Sequence, residues 1–245
     1  MRKFGLIGYP LTHSFSKKYF TGKFEKEDID AVYELYEIAS IDEFIRLEDF
    51  SNLSGLNVTI PYKQDIFKYL NETDSVAAEI GAVNTVKFIR EPSGTILKGY
   101  NTDIIGFRKS IEPYMRPHHN KALILGTGGA SKAIQYVLAG MGLETKFVSR
   151  VTRPDAFTYP QLTETIMQEY PVIVNTTPVG TFPHTAECPD VPYCFIGKEH
   201  LLFDAIYNPA ETLFLSKGKE AGATCVNGLQ MLIGQAEAAW KIWNS

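Results

Sequence analysis

Short apolar runs separated by polar segments recur along the whole chain. In the first hundred residues the runs "KFGLIGY", "YELYEIA" and "LSGLNVTI" are strand-like, and polar segments such as "SIDEFIRLEDF" permit helices between them. The stretch "TVKFIREPSGTILKGY" predicts two antiparallel strands, because its Pro-Ser-Gly is a turn signal. The pattern therefore predicts alternating strands and helices with one hairpin.

A second series of strands follows Asp103. The segment "DIIGFRKSIEPYM" has helical periodicity, and a set of strand-like runs comes after it, each followed by a turn or a helical pattern: "KALILG", "TKFVSR", "VIVNTTPVG", "LLFDAIYN" and "ATCVNG". This rhythm is typical of a parallel α/β sheet. The final stretch, "LQMLIGQAEAAWKIWN", predicts a helix that could pack on either of two domains.

Composition narrows the kinds of partner. The chain has 245 residues and a net charge of −4, which gives no general attraction to nucleic acid or to anionic membranes. No stretch approaches the roughly 18 apolar residues of a membrane span. The three cysteines lack Cys-x-x-Cys spacing and suit a reducing cytoplasm, and they form no recognisable zinc pattern with His184. We therefore expect a cytoplasmic protein with a small-molecule site and no metal.

The sharpest local signal is "LILGTGGASKA". Its apolar strand runs into Gly126, Gly128 and Gly129, and a helix is predicted from about Ala130. Glycines at such a junction let the backbone approach a pyrophosphate, whose charge is held by the amides at the helix N-terminus. The alternative for a single glycine-rich turn is a plain tight turn.

The end of the next strand-like run bears on the choice of cofactor. Arg150 ends "TKFVSR" and Arg153 follows closely, at the place where an NAD-preferring fold presents Asp or Glu to the ribose. A guanidinium there favours a 2′-phosphate, because its planar fork binds phosphate oxygens in pairs. The residues thus favour NADP, and the alternative is that both arginines only solvate a loop.

Hydrogen-bonding side chains recur at the ends of the strand-like runs in the first domain. A lysine among them can donate a proton to a carbonyl or take one from a hydroxyl. Taken singly, such a lysine is more often a surface residue, and Asn-Thr-Asp is also helix-capping chemistry. Their recurrence predicts a site for a polyhydroxylated ring, formed by Asn57, Thr59, Lys63, Asn84, Asn101 and Asp103.

Together these motifs resemble the shikimate dehydrogenases across essentially the whole chain. The matching segments, in the family's order and spacing, are "GYPLTHSFS", "GLNVTIPYK", "GAVNTV", "GYNTDIIGF", "GTGGASKA", "NTTPVG", "DAIYNP" and "NGLQMLIGQAEAAW". The resemblance implies a cytoplasmic, NADP-dependent oxidoreductase of aromatic amino acid (chorismate) biosynthesis that interconverts 3-dehydroshikimate and shikimate. It implies a monomer or homodimer whose partner is this small-molecule substrate, without nucleic acid or membrane.

The resemblance also implies a fold and its domains. An α/β substrate-binding domain with a mostly parallel sheet is expected over residues 1–103 and 226–245. A Rossmann-like NADP-binding domain is expected over residues 104–225.

The same resemblance implies a role for each matching residue. Lys63 and Asp103 are the implied catalytic pair, and both also bind substrate. Ser14 and Ser16 would hold the substrate carboxylate. The other implied substrate residues are Asn57, Thr59, Asn84, Tyr207 and Gln235. The implied cofactor residues are Gly126, Thr127, Gly128, Gly129, Ala130, Ser149, Arg150, Arg153, Thr176 and Gly228.

The chain departs from the family pattern in three places. The usual Asn-Arg-Thr after the second cofactor strand is replaced by Ser149-Arg150-Val151, which removes a hydroxyl expected near the 2′-phosphate, and Thr152 is a candidate replacement. Tyr62 stands where the pattern has His, a change that leaves the chemistry in place. Residues 154–171 leave room for little more than one helix, so we expect a trimmed cofactor domain.

Three rival functions stay open on the residues alone. The substrate could be quinate or an amino analogue of shikimate, which differ by one ring substituent. The chain could be a non-catalytic dinucleotide sensor, although a sensor has no need to keep both Lys63 and Asp103. It could also be a folate-type dehydrogenase of similar build, which would not need the paired serines Ser14 and Ser16.

Overall fold

A computed structural model describes residues 1–11, 14–47 and 50–245 of the chain. Within these ranges the architecture is α/β, with two six-stranded sheets. The chain divides into two compact units, the first formed by Met1–Asp103 with Ile233–Ser245 and the second by Ile104–Leu232. The alternation of strands and helices predicted from the sequence is confirmed.

Most of the strands follow the apolar runs closely. They are β1 (Arg2–Gly8), β2 (Ala31–Glu37), β3 (Leu53–Val58), β4 (Glu72–Thr73), β5 (Thr85–Glu91), β6 (Gly94–Tyr100), β7 (Lys121–Leu125), β8 (Glu144–Ser149), β9 (Ala156–Thr158), β10 (Val172–Asn175), β11 (Leu201–Asp204) and β12 (Thr224–Asn227). The α-helices are α1 (Phe15–Lys26), α2 (Ser75–Ile80), α3 (Asp103–Ile111), α4 (Gly129–Gly140), α5 (Glu164–Glu169), α6 (Leu213–Glu220) and α7 (Leu229–Trp243).

The sheet of the first unit has the strand order β2-β1-β3-β5-β6-β4. Strand β1 is parallel to β2 and β3, whereas β5 is antiparallel to β3 and β6. The predicted hairpin is therefore confirmed as β5 and β6. Its turn passes through Gly94, whose φ of +141° is a conformation that side chains disfavour.

Aromatic packing fixes α1 and α7 against the first sheet. Phe4 on β1 lies against Phe24 of α1 and Trp243 of α7, and Phe20 of α1 lies against the same two rings. All four are buried in one apolar cluster. The Phe4 and Trp243 rings stack with centroids 4.9 Å apart. Aromatic rings carry the largest apolar area per residue, so this cluster holds the first and last helices of the unit in place.

The sheet of the second unit is parallel throughout, with the order β12-β11-β10-β7-β8-β9. Strands β10 and β11 are fully buried, which explains why "VIVN" and "LLFD" are nearly continuous apolar runs. From β7 the chain builds outward through β8 and β9, then returns to place β10 on the other side of β7. Ligands of such sheets bind at the carboxyl ends of the strands beside this reversal.

Two segments differ from the simplest sequence expectation. The polar segment after β2 forms a 3-10 helix over Ile41–Arg46 rather than an α-helix, capped by Ser40 with Glu43 in a capping box. Between Arg153 and Val172 the structure has the short strand β9 and a 3-10 helix over Tyr159–Gln161 as well as the α-helix α5. The three residues of β9 are too few for apolar alternation to mark them in the sequence.

Candidate functional site

The ends of three neighbouring strands in the first unit carry the predicted ring-binding residues. Asn57, near the end of β3, pairs with Thr85 at the start of β5. Thr85 pairs in turn with Tyr100 at the end of β6. Because β5 is antiparallel to both neighbours, its start lies beside their ends, which brings Asn84 and Asp103 to the edge that holds Asn57.

Lys63 and Asp103 form an ion pair at this edge. The Lys63 Nζ donates to the Asp103 Oδ2 at 2.6 Å, and the two side chains are 15% and 8% exposed. The Lys63 backbone is fixed because the Val83 N–H donates to its carbonyl at 2.8 Å. Charge-assisted hydrogen bonds of this length with little access to water are strong. The fold therefore brings together the two residues that the sequence predicts to be catalytic.

A network of amides and hydroxyls holds the second oxygen of Asp103. Asn84 Nδ2 donates to Asp103 Oδ1 at 2.8 Å. Asn84 Oδ1 in turn accepts from the Thr102 N–H at 2.7 Å and from the Thr85 hydroxyl at 3.1 Å. Asn101 is buried and accepts from the Asp103 N–H at 3.1 Å. Both carboxylate oxygens of Asp103 and its backbone are thus oriented by the surrounding residues.

Helix α7 contributes one more polar side chain. Gln235 is 7% exposed, and its Oε1 accepts from the Thr102 hydroxyl at 3.5 Å. The helix is held by Trp243, whose Nε1 donates to the Val86 carbonyl at 3.0 Å. A Cβ at Gly55 would lie 2.3 Å from the Trp243 ring, so this close approach requires glycine. We call Asn57, Lys63, Asn84, Asp103 and Gln235 the ring site.

The serines predicted to bind a carboxylate lie at the start of α1. Ser14 caps the helix, and its Oγ accepts from the Lys17 N–H at 3.2 Å. The Ser14 proton is not used by this cap, because the serine acts there as an acceptor. Ser16 lies in the first turn and hydrogen bonds to the Tyr33 hydroxyl. The two residues before Ser14 lie outside the described residues.

Thr59 is less closely connected to the ring site than its position in the sequence suggests. It lies one residue beyond β3 and is half-buried, and its N–H donates to the Ile7 carbonyl at 2.9 Å. A Cβ at Gly8 would lie 2.4 Å from the Thr59 methyl group. In the ranges that the structure describes, no hydrogen bond joins the Thr59 hydroxyl to the ring site, and its role stays a prediction.

The predicted cofactor residues lie at one edge of the second unit. Each ends a parallel strand, lies in the loop after it or begins the following helix, and adjacent strands of this sheet run in register. The strands concerned are β7, β8, β10 and β12, and the residues are Gly126, Thr127, Gly128, Gly129, Ala130, Ser149, Arg150, Arg153, Thr176 and Gly228.

The glycine-rich turn after β7 leaves its backbone open to a ligand. Gly126 has φ of +103°, and a Cβ there would lie 2.8 Å from the Thr176 Oγ1. Thr176 itself donates its hydroxyl to the Leu125 carbonyl at 2.6 Å, which ties the loops after β7 and β10 together. Gly128 is the N-cap of α4 and faces open space. A bare helix N-terminus beside open space suits a phosphate group.

The segment after β8 presents two exposed guanidinium groups. Arg150 and Arg153 are both exposed, and Arg153 Nε lies 3.4 Å from Asp155 Oδ1. Ser149 Oγ accepts from the Val151 N–H at 3.1 Å, so this serine stabilises its own turn. Arg150 is therefore better suited than Arg153 to take a phosphate, since Arg153 already has a carboxylate partner.

The loops after β10 and β11 are organised by a buried carboxylate. Asp204 is fully buried and accepts from Asn175 Nδ2 at 3.0 Å, the Thr212 hydroxyl at 2.5 Å and the Ile206 N–H at 3.1 Å. Burial outweighs these donors and raises the pKa of Asp204 to about 6. Because Asn175 precedes Thr176, the carboxylate joins the loop after β10 to the loop after β11.

Tyr207 and Gly228 complete the predicted set in the second unit. Tyr207 is half-buried in the loop after β11, and burial raises the pKa of its phenol. Gly228 is buried, its N–H donates to the Ile206 carbonyl at 3.0 Å, and a Cβ there would lie 2.2 Å from the Ala205 carbonyl oxygen. This contact leaves no room for a side chain, and the substrate role of Tyr207 stays a prediction.

Sequence reasoning missed four polar residues that orient the predicted ones. Thr85 and Thr102 follow Asn84 and Asn101 directly, so the repeated Asn-Thr pairs in "GAVNTV" and "GYNTD" were the available signal. Asp204 lies in the matching segment "DAIYNP" and could have been found there. Tyr33 lies in an ordinary strand pattern, which offers no signal for its contact with Asn57.

Among the described residues no group of three or more His, Cys, Asp and Glu side chains is arranged to hold a metal ion. Nor is any helix in the described ranges long and apolar enough to cross a membrane.

A family model matches the first unit of the chain. Residues 6–86 match the model described as the shikimate dehydrogenase substrate binding domain. These residues include Asn57, Lys63 and Asn84 of the ring site.

Whole-chain comparisons extend this similarity to the second unit. A shikimate dehydrogenase (NADP(+)) from Methanosphaera stadtmanae is 35% identical over 98% of this chain and 90% of its own length. A crystal structure of shikimate dehydrogenase 1 from Peptoclostridium difficile is 37% identical, with a TM-score of 0.85, and covers 100% of this chain and 92% of its own. A shikimate 5-dehydrogenase from Thermus thermophilus, solved with NADP(H) and shikimate, is 27% identical with a TM-score of 0.83. It covers 99% of this chain and 93% of its own.

Proposed function

The chain belongs to the shikimate dehydrogenase family, and on that premise we propose that it catalyses the reversible, NADPH-dependent reduction of 3-dehydroshikimate to shikimate. The observation that carries the proposal is the Lys63–Asp103 ion pair at 2.6 Å, in which the Asn84 amide holds the second carboxylate oxygen at 2.8 Å. The reaction would serve chorismate biosynthesis in the cytoplasm, performed by a monomer or a homodimer.

Binding of the substrate follows from the chemistry of the available groups. Ser14 has a hydroxyl proton left for a carboxylate, since its oxygen serves as the acceptor in the helix cap. Ser16 lies two residues further along the first turn of α1. Asn57, Thr59 and Asn84 supply amide and hydroxyl groups for the ring hydroxyls. The polar edge thus offers uncharged partners for a polyhydroxylated ring and one cation for its reacting oxygen.

Proton transfer is assigned to the ion pair. When bound, NADPH would supply a hydride to the ring carbonyl carbon. As the carbonyl π bond breaks, negative charge develops on the oxygen, and the Lys63 ammonium stabilises that charge and donates the proton that completes the hydroxyl. Asp103 holds the Lys63 Nζ in position, and Asn84 holds Asp103. In the reverse direction Lys63 takes the hydroxyl proton back.

The residues after β7 and β8 fit a dinucleotide with a 2′-phosphate. Gly126 permits the close approach to Thr176, and the open N-terminus of α4 at Gly128 would hold the pyrophosphate. Arg150 would bind the 2′-phosphate with its exposed, planar guanidinium group. Val151 supplies no hydroxyl, so recognition of this phosphate would rest on Arg150 with help from Ser149 or Arg153.

The test is the absorbance of reduced nicotinamide with the purified chain. Shikimate and quinate are each tried with NADP and with NAD. We expect turnover to be fastest with shikimate and NADP, and Lys63→Ala to lower kcat by about a thousandfold. Lys68→Ala is the matched control, because Lys68 is 50% exposed and pairs with the exposed Asp42 at 2.7 Å.

The outcomes distinguish two of the rival functions and test the choice of cofactor. Faster turnover with quinate would assign the chain to quinate, and faster turnover with NAD would contradict the role of Arg150. An absence of turnover with every pair, despite cofactor binding, would favour the dinucleotide sensor.

A further inference from the structure

Tyr33 lies between two of the predicted substrate residues, although nothing in the sequence marked it. Its hydroxyl donates to Asn57 Oδ1 at 2.7 Å and also hydrogen bonds to Ser16. The phenol ring is 2% exposed and stacks on Phe20 with centroids 4.7 Å apart and an interplanar angle of 12°. The position of the hydroxyl is therefore fixed by the packing of its ring.

The orientation of the Asn57 amide follows from its neighbours. Asn57 Nδ2 lies 3.3 Å from the Asn84 backbone carbonyl oxygen and 3.2 Å from the Thr85 Oγ1. A carbonyl oxygen can only accept, so the amide nitrogen must face it and Oδ1 must face Tyr33. Tyr33 then has to donate its single proton to Asn57. The phenol oxygen is left as an acceptor for Ser16.

This arrangement determines what Asn57 can offer to a ligand. Both Nδ2 protons are directed to Asn84 and Thr85, and one lone pair of Oδ1 is taken by Tyr33. With these bonds among the described residues, the amide has one hydrogen-bonding position left for a ligand. That position is a lone pair on Oδ1, which can only accept. Asn84 would instead act as a donor. Its Oδ1 already accepts from Thr102 and Thr85, and Asp103 takes one of its two Nδ2 protons.

We propose that Tyr33 is a positioning residue that fixes Asn57 as a hydrogen-bond acceptor for one substrate hydroxyl. This proposal rests on the proposed function, and it states that the substrate hydroxyl donates and Asn57 accepts in one contact. Tyr33 makes the shortest of the three hydrogen bonds that hold the Asn57 amide, at 2.7 Å against 3.2 and 3.3 Å. Burial raises the pKa of the Tyr33 phenol, so the proton that it donates stays in place. Ser16 can turn its own proton toward a ligand without breaking the Tyr33–Asn57 bond.

The first test removes only the hydroxyl. Tyr33→Phe keeps the stacked ring, and we expect the KM for shikimate to rise about tenfold, which corresponds to one well-formed hydrogen bond. The KM for NADP and kcat should stay within about twofold, since the hydrogen bonds of the Tyr33 hydroxyl among the described residues go to Asn57 and Ser16 and not to Lys63. Tyr62→Phe is the matched control, because Tyr62 is 4% exposed and donates to the Ile38 carbonyl at 2.5 Å.

A double-mutant cycle separates positioning from general stabilisation. If Tyr33 acts through Asn57, Tyr33→Phe should add nothing to the KM of an Asn57→Ala variant. A merely structural role would lower the melting temperature in both backgrounds and leave KM unchanged. An unchanged KM in Tyr33→Phe, or an equal rise in KM in both backgrounds, would overturn the proposal.

A second test uses the unmodified chain and does not depend on the folding of any variant. Shikimate analogues with one ring hydroxyl replaced by fluorine can accept but not donate, whereas the corresponding amines can donate. At the ring position whose hydroxyl donates to Asn57, we expect the amine to compete with shikimate for binding. The fluoride at the same position should bind about tenfold more weakly than shikimate. A fluoride that binds as well as shikimate at every position would show that Asn57 does not act as an acceptor.

These results distinguish the inference from the function on which it rests. If the unmodified chain does not turn over shikimate with NADP, the proposed function fails. If it turns over and Tyr33→Phe leaves KM unchanged, only the role of Tyr33 fails.

Discussion

Replacement of Asp103 by asparagine tests how much the ion pair contributes to turnover. The carboxylate accepts from Lys63 at 2.6 Å and from Asn84 at 2.8 Å, one donor to each oxygen. An asparagine has one oxygen and one NH₂ group, so it cannot accept from both donors. Whichever way the amide turns, it directs N–H toward the Lys63 ammonium or toward the Asn84 NH₂ group. The substitution therefore loses one hydrogen bond and the counter-charge of Lys63 together.

The expected loss follows from these two effects. A hydrogen bond to a charged group contributes about 1.5–3 kcal/mol, and a misplaced acid or base lowers the rate by roughly 10²–10⁴. We expect Asp103→Asn to lower kcat/KM by about a thousandfold, or about 4 kcal/mol in the transition state. Because Lys63 is 15% exposed, its ammonium can still reach water. The free energy of unfolding should therefore fall by only about 1–3 kcal/mol, less than for a fully buried pair.

The assay compares steady-state kinetics with urea unfolding of the same preparations. Asp42→Asn is the control, because Asp42 pairs with Lys68 at 2.7 Å while 71% exposed, and it should change neither kcat nor the melting temperature. An Asp103→Asn variant that keeps kcat within tenfold of the unmodified chain would refute the role assigned to the pair.

Three further predictions concern the second unit. Burial raises the pKa of Asp204 from 3.8 to about 6, so the folded chain favours the protonated acid. Its contribution to stability is full below about pH 4 and is lost as the pH rises through 6, by about 3 kcal/mol. Urea titrations should show that Asp204→Asn removes this loss, and an unchanged difference between pH 4 and pH 7 would contradict it. Arg150→Ala should raise the KM for NADP about tenfold and leave the KM for NAD unchanged, and Arg153→Ala should do less because Arg153 already has a carboxylate partner. Gly228→Ala places a Cβ 2.2 Å from the Ala205 carbonyl oxygen, and it should lower both the melting temperature and the affinity for NADP in calorimetry; equal values in both proteins would show that the loop adapts.

The elements that the sequence predicted well are those with strong periodicity or a distinct breaker. The parallel strands of the second unit have continuous apolar runs, and the β5–β6 hairpin has a turn signal at "EPSG". The site residues at strand ends were predictable for the same reason, since the ends of strands lie at sheet edges where ligands bind. Lys63, Asp103 and Asn84 meet within hydrogen-bonding distance as that reasoning requires.

The residues that sequence analysis missed act through packing and register. The contact of Tyr33 with Asn57 depends on the pairing of β1 with both β2 and β3, a long-range relation that local patterns do not contain. Thr85 and Thr102 were passed over because an Asn-Thr pair has two hydrogen-bonding side chains, and only the fold shows that each threonine orients Asn84. The exposure of Arg150 could be predicted from the sequence. The ion pair of Arg153 with Asp155, which competes with binding of a phosphate, could not.

The most direct measurement follows the transferred hydride itself. The purified chain is mixed with 3-dehydroshikimate and NADPH carrying deuterium at both hydrogens of its reactive nicotinamide carbon, and the product is examined by mass spectrometry and NMR. The account predicts shikimate with a single deuterium on the carbon that was the ring carbonyl, and none from the Lys63→Ala protein on the same timescale. Bound NADPH with no labelled shikimate from the unmodified chain would contradict it.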